Sequence, residues 1–213
     1  MSELTRVIEA VAHDVLAAQA ELNRLDGVAG DGDLGATMAA GATALLAIMP
    51  DMQDLDLAAT LRRCGSELAR KAPSTSGTLL ATACLRAAGA APGSDGESTT
   101  SIAARLVDAA MTGVQQRGKA QVGDKTMLDA LSPAVTSLQD SAYAGVGLGQ
   151  ALASAATAAR AGAEATRDLR ARVGRAGWLA DRAEGSVDAG ADLVALLFES
   201  AARHVATDSR PVD

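Results

Sequence analysis

At the centre of this sequence stands the segment Leu25-Asp26-Gly27-Val28-Ala29-Gly30-Asp31-Gly32-Asp33-Leu34-Gly35-Ala36-Thr37-Met38. Asp26, Asp31 and Asp33 are too close together to stay unpaired without mutual repulsion, so they are either solvated in a turn or held by a hard cation. An apolar helical pattern begins near Gly35. Because a helix N-terminus beside a carboxylate-bound Mg²⁺ suits a polyphosphate, the segment predicts a metal and phosphate site. A plain acidic turn is the alternative.

Spacing excludes two familiar ion and phosphate motifs. An EF-hand calcium loop that started at Asp31 would need an acidic ligand at its twelfth position, where this chain has Ala42. The segment Gly118–Thr126 resembles a Walker A loop, but Asp124 separates its last glycine from Lys125. A predicted helix, not a strand, also precedes it. Neither motif is therefore assigned.

Composition favours an all-α fold. The 213 residues are 48% hydrophobic but include only one Trp, one Tyr and one Phe, so the core must be built from Ala, Leu, Val, Ile and Met. Such residues suit closely packed helices better than sheets. We therefore expect a single all-α domain over residues 1–213.

Charge and the lack of targeting signals exclude several classes of partner. The formal net charge is −7, and no run of Lys and Arg occurs, which argues against nucleic acid or an anionic membrane as the partner. The N-terminus has no basic stretch followed by an apolar one, and no run of 18 apolar residues occurs. The sequence therefore predicts a cytoplasmic protein.

Apolar residues at helical spacing predict eight helices. Pro133 should kink or restart the sixth helix, because an interior proline removes a backbone hydrogen bond. Residues 174–191 are predicted to form a long polar loop punctuated by glycines, and Ser186 is expected to cap the last helix. The helices cover about 4–22, 35–49, 57–71, 79–90, 102–117, 127–143, 148–172 and 187–205.

Three hydroxyl residues precede the fourth helix, namely Ser74, Thr75 and Ser76. Ser and Thr are good N-caps, because their side chains accept a hydrogen bond from an otherwise unpaired backbone N–H group. These residues serve either as caps alone or, together with the helix amides, as a second cradle for phosphate. The sequence leaves both interpretations open.

Five ordered motifs carry a family resemblance that covers nearly the whole chain. They are Leu25-Asp26 with Gly30-Asp31-Gly32-Asp33-x-Gly35, Ser76-Gly77, Gly118-Lys119-Ala120, Gly123-Asp124-Lys125-Thr126-Met127-x-Asp129, and Gly174-Arg175-Ala176 with Asp188-x-Gly190-Ala191. Together they resemble the L subunit of bacterial dihydroxyacetone kinase, the nucleotide-binding half of a two-part kinase. The resemblance implies a single antiparallel barrel of about eight helices, with a nucleotide and Mg²⁺ at one end.

The resemblance also implies roles for individual residues. Asp26, Asp31 and Asp33 would hold two Mg²⁺ ions that bridge the phosphates of ADP or ATP. Arg175 would reach over the phosphates from a lid-like loop, both as a nucleotide contact and as the catalytic residue of phosphoryl transfer. The other implied nucleotide contacts are Leu34, Gly35, Ala36, Thr37, Thr75, Ser76, Gly118, Met127, Asp188, Ala189 and Gly190.

By the same resemblance, the chain would transfer a phosphoryl group to a small ketose held by a separate K-type subunit, which also supplies the base. The donor would be ATP, or an ADP coenzyme recharged by a phosphotransferase-system protein. Leu34 favours ATP, because phosphotransferase-system members often have His there. The active form would be a homodimer or a heterotetramer. The alternatives are a nucleotide-loaded module that docks on a transcriptional regulator, and a kinase subunit for a four-carbon ketose such as erythrulose.

Overall fold

The structure is a computed structural model that describes residues 2–91 and 96–206, without the side chains of Arg175 and Ala206. Within these two ranges the chain forms eleven α-helices and no β-strand. Turns of 3-10 helix follow α3 (Met49–Met52) and α8 (Thr166–Asp168). The α-helices are α1 (Glu3–Ala17), α2 (Gln19–Ala29), α3 (Leu34–Ile48), α4 (Leu57–Lys71), α5 (Thr75–Gly89), α6 (Thr99–Gly118), α7 (Met127–Tyr143), α8 (Leu148–Ala165), α9 (Gly174–Trp178), α10 (Ala180–Ala183) and α11 (Ala189–Ala206).

Eight of the long helices form a closed ring. Along the chain, α1, α3, α4, α5, α6, α7, α8 and α11 each pack against the next one, and α11 packs against α1. Neighbours run antiparallel. In α8 and α11, for example, Arg160 bonds to Glu199, whereas Thr166, further along the chain, bonds to Asp188 before α11 starts. The predicted all-α antiparallel barrel is confirmed.

Small residues allow the helices of this ring to approach closely. A Cβ atom added at Gly41, Gly65, Gly113 or Gly162 would come within 3.0 Å of an atom of the neighbouring helix. The largest cluster of buried apolar side chains lies among α6, α7, α8 and α11 and is rich in alanine. The chain therefore builds its core with a single buried aromatic residue, Phe198, by bringing backbones close together.

The first predicted helix is in fact two helices. Ala18 has φ −85° and ψ 0°, so α1 ends at Ala17 and α2 starts at Gln19. Helix α2 then crosses the N-terminal end of α3, so close that a Cβ atom at Gly35 would lie 2.0 Å from the carbonyl oxygen of Gln19. Asp26, which was expected in a loop after a single helix, therefore lies in the last turn of α2.

The sixth predicted helix does not restart at Pro133. Helix α7 continues from Met127 to Tyr143 with the proline inside it. A proline leaves the carbonyl four residues earlier without its helical donor, and here that carbonyl belongs to Asp129. This oxygen faces Gly162 of α8, where a Cβ atom would lie only 2.3 Å away. Close packing against α8 therefore supports α7 on either side of the proline. The sequence of α7 alone does not reveal this contact.

The segment before the last helix also differs from the prediction. Helix α8 ends at Ala165, and residues 174–191, predicted as a loop, contain α9 and α10. Asp188, not Ser186, caps α11, because its Oδ2 accepts the N–H of Ala191 at 2.8 Å. The Ser186 hydroxyl instead donates to the carbonyl of Ala183 at 2.7 Å. The tight turn before α11 therefore moves the cap two residues along the chain.

Among the residues that the structure describes, one helical segment, Leu34–Met52, is long and apolar enough to cross a membrane by composition, with a mean hydropathy of 1.3. It comprises α3 and the turn after it, and 50% of it is buried inside the protein. Packing in the ring accounts for this apolar character, because a core helix of a helical barrel needs the same composition.

Candidate functional site

Four helices begin around one cavity. Because neighbours in the ring alternate in direction, α3, α5, α7 and α11 all start at the same end of the barrel. Their first residues, Leu34, Thr75, Met127 and Ala189, line a cavity of about 250 Å³, and Gly118 at the end of α6 completes this side. Each helix N-terminus carries the equivalent of about half a positive charge. This end of the barrel is therefore suited to an anion.

Three carboxylates meet at the same cavity. Asp26 belongs to the last turn of α2, whereas Asp31 and Asp33 belong to the loop that leads into α3. One carboxylate oxygen of each residue lies within 4.8 Å of those of the other two. Asp26 is half-buried, the other two are exposed, and all three line the cavity. The structure thus brings together the three residues that the sequence indicates as metal ligands.

Backbone hydrogen bonds fix the orientation of Asp26. Its Oδ2 accepts the N–H groups of Gly32, Asp33 and Leu34 at 2.9, 3.0 and 3.4 Å. Gly30 leaves room beside the other oxygen, since a Cβ atom there would lie 2.5 Å from Oδ1. The Asp26 carboxylate therefore holds the acidic loop through Oδ2, and the glycine keeps the space next to Oδ1 open.

This set of donors fits a hard divalent cation. Three carboxylates offer the oxygen ligands that Mg²⁺ and Ca²⁺ prefer, whereas soft metals prefer sulfur and nitrogen. Without a cation, three negative charges within 4.8 Å of one another repel. Asp26, Asp31 and Asp33 would hold such an ion, and a bound Mg²⁺ would neutralise part of the charge of a phosphate in the cavity.

The hydroxyl residues before α5 divide their roles. Ser74 is the N-cap, because its hydroxyl oxygen accepts the N–H of Gly77 at 3.1 Å. Gly77 is packed against the preceding turn, where a Cβ atom would lie 2.0 Å from the carbonyl oxygen of Ala72. Thr75 and Ser76 follow in the first turn of α5 and line the cavity. Because Ser74 caps the helix, Thr75 and Ser76 are not needed as caps and lie where a ligand in the cavity could contact them.

A buried polar network lies beneath the start of α11. Lys125 is 3% exposed, and its ammonium group donates to the backbone carbonyls of Thr166 and Ser186, the latter at 2.7 Å. The Thr166 hydroxyl accepts the N–H of Asp188 at 2.9 Å. Burial raises the pKa of Asp188 to about 6 and lowers the pKa of Lys125, because burial disfavours the charged form of each group. The attraction between the two charges opposes both shifts.

Most predicted site residues line the cavity. Gly35, Ala36 and Thr37 lie further along α3 and are not part of this lining; the N–H of Ala36 donates to Oδ1 of Asn23 at 3.0 Å. Their nucleotide contacts stay a prediction. The side chain of Arg175 lies outside the described residues, although the residues on either side of it line the cavity. The predicted residues in the lining are Asp26, Asp31, Asp33, Leu34, Thr75, Ser76, Gly118, Met127, Asp188, Ala189 and Gly190.

Sequence reasoning missed two polar residues and an apolar wall. Lys125 falls in the rejected Walker A pattern, and its burial is visible only in the structure. Asn23 lies three residues before Asp26, a spacing that puts both side chains on one face of α2 and could have indicated a shared role. The wall comes from five separate segments, so it leaves no local signal. Its residues include Leu79, Val114, Leu128, Val173 and Val187.

Comparison with known sequences agrees with this arrangement. The family model described as the DAK2 domain matches residues 28–203. The chain is 37% identical to D-erythrulose kinase of Mycolicibacterium smegmatis, over 93% of this chain and 34% of that protein. It is 33% identical to the ADP-binding subunit DhaL of the PEP-dependent dihydroxyacetone kinase of Escherichia coli, over 87% of this chain and 89% of that protein. The chain therefore spans about a third of the first relative and most of the second.

Solved structures show the same fold. The native crystal structure of the dihydroxyacetone kinase of C. freundii matches with a TM-score of 0.76 at 28% identity. The structure of that kinase in complex with AMP-PNP and Mg²⁺ matches with a TM-score of 0.72 at 30% identity. Both matches cover 95% of this chain and 34% of the other. The barrel therefore corresponds to one third of that kinase.

Proposed function

The chain belongs to the DAK2-domain family, and on this basis we propose that it is the nucleotide-binding subunit of a two-part ketose kinase. As one domain over residues 1–213, it would bind ADP or ATP with Mg²⁺ and transfer a phosphoryl group to a small ketose held by a K-type subunit. Its similarity to the ADP-binding subunit of Escherichia coli, along 89% of that protein, supports a subunit of this kind.

The observation that carries the proposal is the meeting of four helix N-termini with three carboxylates at one cavity. A nucleoside diphosphate or triphosphate with bound Mg²⁺ offers a cation for the carboxylates and phosphate oxygens for the helix N-termini. The metal would take oxygen ligands from Asp26, Asp31 and Asp33, and the phosphates would take the helix amides. The apolar wall around Val114 and Leu128 would take the base.

The residues described in the cavity bind and orient, but they do not offer an obvious base. Neither His13 nor His204 lines the cavity. Burial raises the pKa of Asp188 to about 6, but its Oδ2 is engaged as the cap of α11. We therefore assign acceptance of the ketose hydroxyl proton to the K-type subunit. The role of Arg175 in phosphoryl transfer belongs to this proposal as well.

Leu34 bears on the phosphoryl donor. It starts α3, is 5% exposed and packs among other apolar side chains. An imidazole in this place would add a polar group beside the metal, and this chain has none. We therefore favour exchangeable ATP over an ADP coenzyme recharged by a phosphotransferase-system protein. The working form would be a cytoplasmic homodimer or a heterotetramer with the K-type subunit.

The ketose has two candidates. Dihydroxyacetone is the substrate named for the Escherichia coli relative, and erythrulose is named for relatives from Mycolicibacterium smegmatis and Pectobacterium atrosepticum at 34–37% identity. Because the K-type subunit would hold the ketose, the partner would decide between them. A four-carbon ketose is therefore the second candidate for the same reaction.

The test begins with the nucleotide. The protein is purified in Mg²⁺ without added nucleotide and heat-denatured, and any released nucleotide is identified by chromatography. Near-stoichiometric ADP would favour the coenzyme form, and an empty protein that binds MgATP reversibly would favour the ATP form. Transfer to dihydroxyacetone and to erythrulose is then measured with a competent K-type subunit. No transfer to either ketose would overturn the proposal.

A pair of double variants tests the metal site. Asp31→Asn/Asp33→Asn should lose Mg²⁺-dependent nucleotide binding. Asp51→Asn/Asp54→Asn is the matched control, because these two exposed aspartates lie after α3 at the opposite end of the barrel. Unchanged nucleotide binding in the first variant would mean that Asp31 and Asp33 form only an acidic surface turn and are not metal ligands.

A further inference from the structure

One connection lines part of the cavity. It runs from Thr166 to Asp188, between α8 and α11, and contains α9 and α10. We call residues 174–185 the lid segment. A glycine with positive φ stands at each of its ends, Gly174 at 66° and Gly185 at 73°, and nothing lies within 4 Å of a Cβ atom built at either one. Glycine at these two positions allows the left-handed turns with which the lid segment begins and ends.

A single buried side chain holds both ends of this connection. Lys125, from the loop between α6 and α7, donates to the carbonyl of Thr166 where the connection starts. It also donates to the carbonyl of Ser186, at 2.7 Å, just after the lid segment. The two carbonyls lie twenty residues apart in sequence. Lys125 therefore ties together two points that are far apart in sequence.

Other hydrogen bonds reinforce the same junction. The N–H of Asp188 donates to the Thr166 hydroxyl at 2.9 Å, and the N–H of Gly185 donates to the carbonyl of Arg167 at 3.2 Å. Just before the lid segment, the N–H of Arg172 donates to the carbonyl of Asp124, the residue before Lys125, at 3.2 Å. These bonds join the two ends of the connection to each other and to the loop before α7, whereas the N–H groups of Leu179, Arg182 and Ala183 bond only within the lid segment.

The conformation of Lys125 shows that this arrangement is imposed by its contacts. Its φ is 62°, a conformation that is unfavourable for a residue with a Cβ atom. Its side chain is 3% exposed, although a lysine is rarely buried. Burial and strain both oppose this placement, so the bonds to the two carbonyls and the attraction of nearby Asp188 and Asp129 must offset them.

We propose that Lys125 is a positioning residue for the cavity: its ammonium group joins both ends of the α8–α11 connection and so fixes the base of the lid segment and the turn Asp188–Gly190. This inference rests on the proposed function, because the turn and the lid segment border the cavity assigned to the nucleotide. Lys125 acts through these backbone segments and is not itself assigned a contact with the reacting phosphate.

The test compares two Lys→Met variants. Lys125→Met removes the charge and the donors while it keeps a side chain of similar length. Lys119→Met is the matched control, because Lys119 lies at the start of the same loop and also has a positive φ, 52°, but is exposed. The two variants therefore differ mainly in whether the lost ammonium group was buried against the connection.

The first measurement needs no nucleotide. Arg170, Arg172 and Arg182 are exposed in the connection and are sites for trypsin. Lys125→Met should speed cleavage at these sites about tenfold, because the base of the lid segment opens more often. Lys119→Met should cleave there at the wild-type rate. Faster cleavage throughout the helices, at Arg105 and Arg160 as well, would indicate general destabilisation and would overturn the positioning role.

The second measurement reports on the bound state. Trp178 is the one tryptophan of the chain and lies 89% exposed in α9. At saturating MgADP, the fluorescence anisotropy of Trp178 should be lower in Lys125→Met than in the wild type and in Lys119→Met. The Kd for MgADP, measured by isothermal titration calorimetry, should rise about tenfold in Lys125→Met alone. Equal values in the two variants would overturn the inference.

Two failures are distinguishable by this design. If the wild type binds no MgADP, the proposed function fails, while tryptic cleavage still decides whether Lys125 holds the connection. If Lys125→Met does not fold, hydrogen exchange of the wild type decides. The amide of Asp188, which bonds to Thr166 at the junction, should then exchange about tenfold more slowly than the amides of residues 176–184. Equal exchange rates would overturn the inference.

Discussion

Gly35 offers a sharp test of how the site is built. It lies in the first turn of α3, where α2 crosses, and it has no room for a side chain. Because α2 carries Asp26 while Asp33 immediately precedes α3, any separation of the two helices also separates metal ligands. We therefore predict that Gly35→Ala lowers both the stability of the protein and its affinity for Mg²⁺.

The structure sets the size of this effect. A Cβ atom at Gly35 would lie 2.0 Å from the carbonyl oxygen of Gln19, and ordinary contact starts at 3.4 Å, so the helices must separate by about 1.4 Å. Overpacking of this kind costs about 1–3 kcal/mol. Loss of the hydrogen bond from Ala36 to Asn23 adds about 1 kcal/mol, and the better helix propensity of Ala returns about as much. The expected net loss is about 2 kcal/mol.

The assay is urea unfolding followed by circular dichroism. A loss of about 2 kcal/mol corresponds to a fall in Tm of about 4–8 °C for a chain of this size. Gly89→Ala is the matched control, because Gly89 ends α5 and nothing lies within 4 Å of a Cβ atom built there. This control should be neutral or slightly stabilising. Equal stability of the two variants would refute the close crossing of α2 and α3.

Three further predictions concern single charges. Asp26→Asn should lower the affinity for Mg²⁺ by at least about tenfold in calorimetric titration, because an amide is a weaker metal ligand than a carboxylate and its nitrogen cannot accept N–H bonds. Asp188→Asn should remove part of the pH dependence of the free energy of unfolding. The folded pKa of about 6 is above 3.8, so the stability from this group is full below pH 3.8 and is lost as the pH rises through 6. The free energy of unfolding of the wild type, relative to Asp188→Asn, should therefore fall between pH 4 and 6 by at most about 1.4 kcal/mol per pH unit. Arg160→Met should cost about 1–2 kcal/mol in urea unfolding, because it leaves Asp192 and Glu199 partly buried without their cation, and it should not change the Kd for MgADP.

Each of these has a result that would contradict it. Wild-type Mg²⁺ affinity in Asp26→Asn would mean that the carboxylate only holds the loop. Parallel stability curves for Asp188→Asn and the wild type across pH 4–6 would mean that Asp188 is not shielded from water. A higher Kd for MgADP in Arg160→Met would mean that the α8–α11 ion pairs influence nucleotide binding, although their residues are not among those described in the cavity lining.

Features encoded by neighbouring residues could be predicted from the sequence. Helix α4 was expected over residues 57–71 and is Leu57–Lys71, because Asp56 caps its start by accepting the N–H of Ala59 and Pro73 follows its end. The three carboxylates of the site lie within eight residues, so their meeting needs only a local turn. The fold class followed from an apolar composition almost free of aromatic residues.

Features that depend on distant contacts could not be predicted in this way. The chain breaks at Ala18, where α2 turns to cross α3, and α7 continues past Pro133, where Gly162 of α8 packs against the carbonyl of Asp129. Lys125 bonds to carbonyls 41 and 61 residues away, and no pattern within its own loop indicates them. The sequence by itself determined the fold class, most of the long helices, the acidic segment and the small residues that permit close packing. Only the tertiary structure decided that four helix N-termini, one buried lysine and the carboxylates share a cavity, because that requires the ring of helices to close.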